Sequence, residues 1–373
     1  MQNKMLVVAP YRCLPTDGGP SGFIAQNMLS HSGDNIVIGR KSTLKGKRSI
    51  PERMFYRIEK YLRVDKGVRF THTPFFYSKW RKCRDYLRSN SYQSYRYLYF
   101  HELSILGLCL DMILPEQVVL VQPHAPEILS FELKSIWGDK IDEASYRSID
   151  MLCERAFEAA HHIVLPHDGT LDIYRSQIAD TSKINYLLSA SNDRSLSLNS
   201  PVELNKDKLN YLYIGRRNDI KGFNLVIGAF RKAIKHRKDI HLYLVGSGDP
   251  VSEEGITDVG FSEHPGLWMK SVDFLMNANR VSYLDLSIME ALSLGTRIVM
   301  TTTFGHSFFK TFINDESLFE IDGSEKSIKS FFINSKKPMQ KFSKFNRDIY
   351  EAYFSQEIYH QRLNKLVADI FTE

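Results

Sequence analysis

Residues 211–250 read YLYIGRRNDIKGFNLVIGAFRKAIKHRKDIHLYLVGSGDP. The apolar run Leu209–Ile214 has the β-branched and aromatic character of a buried strand. Gly215 to Gly222 reads as a loop, Phe223–His236 as a helix and Ile240–Val245 as a second strand. Gly246-Ser247-Gly248-Asp249-Pro250 is turn chemistry. A strand, a loop bounded by glycines, a helix and a strand in succession form a βαβ unit, which implies a parallel sheet.

Outward from this stretch the pattern repeats. Downstream come a short helix at Ile288–Leu294, a strand at Arg297–Thr301 and a helical tail from Phe342 to Phe371. Upstream, Met5–Ala9 is a strand that runs into the turn Pro15-Thr16-Asp17-Gly18-Gly19-Pro20, and Phe23–Leu29 reads as helix. Arg96–His101, Val118–Gln122 and His162–Leu165 read as further strands, and Ile149–Ala160 as helix. Residues 189–208, SASNDRSLSLNSPVELNKDK, are polar and poor in aromatics and read as the interdomain connection. The expected fold class is α/β, with two Rossmann-like, doubly wound parallel-sheet domains facing a cleft. Residues 1–190 form the first domain, residues 191–349 the second, and a C-terminal helix at about 350–373 packs back on the first. Ligands of such sheets bind beyond the carboxyl ends of the strands.

The size agrees: 373 residues exceed what a single core usually holds. Hydrophobic residues make up 43% and charged residues 25%, so disordered and collagen-like chains are excluded. The longest apolar candidate, Ile105 to Leu114, is short and carries Asp111, so no span of a membrane is expected. MQNKMLVVAP is too short in its apolar part to be a secretory leader. Cys13, Cys83, Cys109 and Cys153 are scattered without a CxxC, which points to a reducing compartment. The net charge of +6 is unevenly spread. Residues 40–96 hold 17 Lys/Arg and 4 Asp/Glu, a net +13 that leaves −7 for the rest. This window also carries eleven aromatics, from Phe55 to Tyr95. It reads as a surface for anionic lipid headgroups or nucleic acid, or as a solvated face over ordinary core aromatics.

Four constellations could carry chemistry. Gly215-Arg216-Arg217-x-x-x-Lys221-Gly222, at the carboxyl end of a strand, could hold a diphosphate. Arg binds phosphate bidentately, Lys supplies a point charge and Gly lets the backbone approach. In Asp285-Leu286-Ser287-Ile288-Met289-Glu290, the carboxylate of Glu290 suits a ribose diol, and the N–H groups of a helix start suit phosphate. Gly18-Gly19 is either a loop near phosphate or a tight turn. His101, His124 and His167 stand at strand ends, where a histidine can bond a sugar hydroxyl or stabilise charge. There is no GxGxxG after a strand, no GxxxxGK[ST], no HExxH and no GxSxG. His161 and His162 are adjacent, so a strand points their rings to opposite faces and disfavours a shared metal.

Together these segments resemble the GT-B-fold glycosyltransferases, specifically the retaining enzymes of glycosyltransferase family 4. Residues 211–250 resemble the family's GR…KG and VGxG run. Residues 282–302, SYLDLSIMEALSLGTRIVMTT, resemble its Glu-x7-Glu segment. The N-terminal half matches more loosely, through Gly18-Gly19, Val119-x-x-x-Pro123-His124 and Glu154–Pro166. The resemblance implies that Arg216 and Lys221 contact the donor diphosphate beside Gly215, and that Glu290 binds the nucleotide ribose. The helix start at Leu286 and Ser287 is a donor-binding candidate through its N–H groups, and the resemblance also implies that Gly18 and Gly19 face the donor phosphates and that His124 stands near the transferred sugar and the acceptor. His101, at the neighbouring strand end, joins His124 as an acceptor-binding candidate. One departure is clear: the first Glu of the motif is Ser282 here, with Asp285 three residues on as its possible substitute.

The activity so implied moves a sugar from a nucleotide-diphosphate donor to a glycan or polyprenyl-diphosphate-linked acceptor, with retention and with no cofactor or metal. A surface-polysaccharide pathway (lipopolysaccharide or capsule) and a cytoplasmic place at the inner membrane face follow from the type and from the basic window. Two alternatives stand beside it. Ser282 motivates a non-catalytic GT-B partner subunit. The basic window motivates a nucleic-acid binder, although no nucleic-acid motif accompanies it and the expectation is that none is bound.

Overall fold

The computed structural model describes residues 1–11, 13–14, 19–29, 35–39, 74–137, 143–197 and 202–372. Gly18 and residues 40–73 of the basic window lie outside these. The chain forms two compact units, Met1–Leu187 with Gln361–Glu373, and Leu188–His360.

The first unit is built on β1 (Gln2–Val8), β2 (Ile36–Ile38), β3 (Tyr95–Phe100), β4 (Val118–Val121), β5 (His162–Leu165) and β6 (Ile184–Tyr186). They form a sheet of order β2-β1-β3-β4-β5-β6 in which every pairing is parallel. The ends of β1, β3 and β4 are entirely apolar and buried, as a parallel sheet covered on both faces requires. At the chain's end, Phe371 stacks on Tyr97 of β3, with ring centroids 4.1 Å apart.

The second unit is built on β7 (Leu209–Ile214), β8 (Ile240–Val245), β9 (Ile256–Gly260), β10 (Phe274–Asn277), β11 (Ile298–Thr301) and β12 (Leu318–Ile321). Its order is β12-β11-β10-β7-β8-β9, again all parallel. Alternation along the strands divides the core in two. Leu212, Leu275, Ile298 and Met300 face one side, with Ile288, Met289 and Leu292 of helix Leu286–Ser293. Tyr211, Tyr213, Phe274, Met276 and Val299 face the other, with Val226, Ile227 and Phe230 of helix Phe223–Ala233. Strand order reverses between β7 and β10, so the switch point of this sheet lies at their carboxyl ends.

Three expectations shift. Residues 189–197 are not a free connection. They are bound to the second unit by Asp193 to Arg347 at 2.7 Å, by Ser191 N–H to the Phe354 carbonyl at 3.1 Å, and by Gln356 to Asn192. The tail is likewise divided, with residues up to His360 in the second unit and those from Gln361 in the first. The basic aromatic surface is altered where it is described. Lys79 pairs with Glu102 at 2.7 Å and Arg84 with Asp111 at 2.7 Å, while Tyr86 and Tyr92 are buried core residues.

The start of the second unit depends on one close backbone approach. Gly215 and Gly246 follow β7 and β8 with φ of 139° and 136°. A Cβ on Gly246 would stand 2.0 Å from the Gly215 carbonyl oxygen. Gly246→Ala therefore meets both a left-handed backbone and a clash. It is expected to cost about 2 kcal/mol or more, read as a lower urea midpoint for this unit; an unchanged midpoint would contradict the close packing.

Candidate donor site of the second unit

The loops after β7 and β10 are joined at the switch point. Gly222, at φ 64°, leaves no room for a side chain: a Cβ there would lie 2.0 Å from the Ala278 carbonyl oxygen. The Arg280 N–H donates to the Ile220 carbonyl at 2.9 Å. These contacts bring Lys221, from the first loop, to Asp285, from the second, with Nζ 2.8 Å from Oδ1.

Asp285 is the meeting point of the site. Its Oδ2 accepts from Asn277 Nδ2 at 3.3 Å and from Asn279 Nδ2, and it faces His306 Nε2 at 3.2 Å. His306 is fully buried, and its Nδ1 donates to the Thr301 carbonyl at 3.2 Å. Burial pushes the Asp285 carboxyl up, but the Lys221 ammonium and then His306 override this and hold it far below the ordinary carboxylate range. The carboxylate is therefore charged at any working pH.

Asp285 also stands at the cap position of helix Leu286–Ser293, yet its side chain makes no capping hydrogen bond. With the carboxylate turned to Lys221, the first N–H groups of the helix, at Leu286 and Ser287, have no cap among the described residues. An uncapped helix start beside an ammonium group is a site for an anion.

The two arginines of the loop after β7 divide the work. Arg217 is 4% exposed, is held by both oxygens of Asp258, and donates to the Asp249 carbonyl at 2.5 Å. It also lies over the Phe223 ring. Arg216 is exposed, and its guanidinium has no hydrogen bond or ion pair among the described residues. Its backbone is fixed by Tyr213, whose hydroxyl donates to the Arg216 carbonyl at 2.6 Å. One arginine locks the loop and the other is left available for an anion.

The remaining expected site residues fall as follows. Glu290 is buried and bonded to Arg194 at 2.5 Å, a partner from the segment read as a connection. Ser282 is 2% exposed, and its hydroxyl is bonded to Thr303. This corrects its expected place at the donor, since a short side chain turned into the core does not reach a ligand. Asp285 does not simply replace the missing Glu; it stands behind Lys221 and holds it. Asn277, Asn279 and His306 were not singled out from the sequence. Asn277 ends β10 and Asn279 follows it, and that strand has no β-branched residue to mark it; His306 becomes meaningful only through its contact with Asp285.

In the first unit, Gly19 starts helix Gly19–Asn27 at φ 62°, with open space where a side chain would be. His101 and His124, after β3 and β4, are brought together, with Nδ1 of the first 3.0 Å from Nε2 of the second. Phe23 packs against both rings. His101 is 0% exposed, which corrects its expected role in touching an acceptor; His124 is half-buried. Burial, and then His124, push the His101 pKa well down, and burial alone lowers that of His124 to about 3, so both rings are neutral. His167 is buried, with Nδ1 3.7 Å from Asp168.

Among the described residues, no group of His, Cys, Asp and Glu is placed to hold a metal ion, and no helix is long and apolar enough to cross a membrane. A cavity of about 630 Å³ opens at the opposite, amino ends of β10–β12, between Phe274, Phe319, Phe331 and Met339. Its lining includes none of the groups around Asp285.

Residues 208–322 match the family described as glycosyl transferases group 1. The chain is a glycosyltransferase with the two-domain GT-B fold. Among solved structures it is similar to sucrose-phosphate synthase from Thermosynechococcus elongatus, with 14% identity, a TM-score of 0.69 and all of both chains covered. It is also similar to Anabaena HepE, solved with UDP and glucose, with 13% identity, a TM-score of 0.63, and 98% of this chain and 100% of that one covered. A glycosyltransferase from Rickettsia africae matches at 14% identity and a TM-score of 0.59, with 99% of each chain covered. No curated protein sequence matches.

The division of the arginines is testable. Hydrogen bonds from Arg217 hold the Asp258 carboxyl down at about 2, against burial. This contribution to stability is present above the ordinary carboxylate pKa of about 3.9 and is lost as pH falls through about 2. Arg217→Ala should lower stability by about 3 kcal/mol at neutral pH. Its midpoint should also fall less than that of the wild type between pH 4 and 2. Arg216→Ala should leave unfolding unchanged and weaken nucleoside diphosphate binding. Equal stability loss in both variants would refute the division.

Proposed function

We propose that the chain is a retaining, metal-independent hexosyltransferase of glycosyltransferase family 4, with a nucleotide-diphosphate sugar as donor and a glycan or polyprenyl-diphosphate-linked glycan as acceptor. The observation that carries the donor part is the convergence at the β7/β10 switch point of the free cation Arg216, the oriented ammonium of Lys221 and an uncapped helix start. Arg216 and Lys221 neutralise the charge that builds on the leaving diphosphate. The N–H groups of Leu286 and Ser287 add fixed donors at no cost of reorganisation. Glu290 receives the ribose beside its ion pair with Arg194. The leaving phosphate takes the acceptor's proton, so no protein nucleophile is needed. The complex of Anabaena HepE with UDP and glucose makes UDP-glucose the first donor to try.

The first domain takes the acceptor in this reading, with His124 near the transferred sugar. Membrane docking at the inner face rests on residues 40–73, which keep 11 Lys/Arg against 3 Asp/Glu. At about 1 kcal/mol per basic residue near an anionic leaflet, a few of these suffice for peripheral contact. Synthesis of a bacterial surface polysaccharide is the role that joins such an acceptor to such a surface.

UDP-, GDP-, ADP- and CMP-sugars screened by thermal shift test the donor class. A nucleotide at 100 times its Kd stabilises by about 2.7 kcal/mol. The matching donor should also be hydrolysed or transferred, and Lys221→Ala should lower turnover by about 100-fold or more. If no nucleotide sugar shifts the melting temperature or is turned over, the proposal fails.

A further inference from the structure

Residues 335–345 read SKKPMQKFSKF. They leave helix Glu325–Asn334 and enter helix Lys344–Ile349. Part of this segment lines the cavity at the amino ends of β10–β12. It holds four lysines and no carboxylate. Met339 is fully exposed, and Phe342 and Phe345 are each about half exposed. Single apolar side chains scattered over a surface are ordinary, but three within seven residues form a patch.

The backbone that presents this patch is fixed. Lys337 Nζ donates to the Lys206 carbonyl and, at 3.3 Å, to the Lys208 carbonyl. Arg297 donates to the carbonyls of Gln340 at 2.5 Å and Lys341 at 3.0 Å. The Ser343 N–H donates to the Gly295 carbonyl at 2.7 Å, and its hydroxyl caps the next helix by accepting from the Asn346 N–H. The charge is equally well placed. Lys344 pairs with Asp348 at 2.7 Å, whereas Lys336, Lys337 and Lys341 have no ion pair among the described residues. Lys341, like Lys337, donates only to a backbone carbonyl, that of Ser271, which leaves its charge uncompensated. With Arg297 there are five cations here against Asp315, Glu316 and Asp348, so this end of the unit is positive.

We infer that residues 335–345 are a contact for an anionic bilayer surface. The lysines meet the headgroups, and Met339, Phe342 and Phe345 enter the boundary between headgroups and acyl chains. A nucleic acid would match the lysines but would give Met339 nothing to pack against. A bilayer offers an anionic plane over an apolar layer, the same two features that alternate along this segment. The contact belongs to the second unit. It is separate from the docking assigned to residues 40–73 and does not rest on it.

The test uses the full chain with Cys13→Ser, since Cys83, Cys109 and Cys153 are buried. A polarity-sensitive thiol dye is attached at Met339→Cys or, as a control, at Phe261→Cys, an exposed position just after β9 at the other end of the sheet. Vesicles of equal parts phosphatidylcholine and phosphatidylglycerol, or of phosphatidylcholine alone, are added at low salt. The Met339→Cys dye should shift to the blue with the anionic vesicles only, and the Phe261→Cys dye should not shift. In the unlabelled chain, Lys336→Glu with Met339→Ser, both at exposed positions, should weaken partition onto anionic vesicles about tenfold or more and leave the melting temperature unchanged. No shift at Met339→Cys with anionic vesicles would overturn the inference, as would an equal shift with phosphatidylcholine alone. A shift with polyglutamate but with neither vesicle would assign the segment to an acidic protein partner and overturn it too. Undiminished vesicle binding by the double variant, with no dye shift, would overturn this contact and leave residues 40–73 as the docking surface.

Discussion

The second unit is organised around one carboxylate. Asp285 accepts from an ammonium and two side-chain amides and faces a buried imidazole, and these groups come from three stretches of chain: the loop after β7, the end of β10 and the helix that follows β11. A charge this enclosed persists only where its partners are fixed. The close approach of Gly222 to Ala278, and of Gly305 to Ser282, is what fixes them. Removing Asp285 would do more than delete an ion pair: it would release Lys221 and would leave Asn277, Asn279 and His306 facing one another without an acceptor.

The same arrangement explains why the helix start is open. An aspartate at a cap position ordinarily bonds the helix N–H groups. Here it is turned to Lys221, and the helix start is left without a side-chain cap from it. Arg217 and Asp258 settle the loop, so that Arg216 can remain exposed without the loop being loose. Glu290 shows the same economy on the next turn of the helix: Arg194 compensates its burial and holds one oxygen.

Much of this could be read from the sequence. The run 209–250 gives β7, its loop and β8 to the residue because its apolar content and glycines are strong local signals. The family resemblance singled out Arg216, Lys221, Asp285 and Glu290 in the same way. The elements that were not foreseen are those whose local signal is weak. β10 has no β-branched residue, β2 and β6 have three residues each, and β9 is half polar. Partnerships across the sequence were hidden as well. Arg194 lies 96 residues from Glu290, and nothing near it announces an ion pair. His306 is meaningful only when folding sets it against Asp285. His101 and His124 read as two candidates from the sequence; adjacency of β3 and β4 in the sheet brings them together, the first fully buried and the second half-buried. Of the basic window, only residues 74–96 are described, and there Lys79 and Arg84 pair with Glu102 and Asp111 while Tyr86 and Tyr92 belong to the core, partnerships that charge counting does not show.

Where a nucleoside diphosphate binds is the central question for this protein. A crystal structure of the chain soaked with the nucleotide that stabilises it most would decide this. The expected result is a terminal phosphate within hydrogen-bond reach of the Arg216 guanidinium, Lys221 Nζ and the backbone N–H groups of Leu286 and Ser287, with Asp285 still bonded to Lys221. Phosphates seated elsewhere, with Arg216 and Lys221 out of reach and the helix start empty, would contradict it.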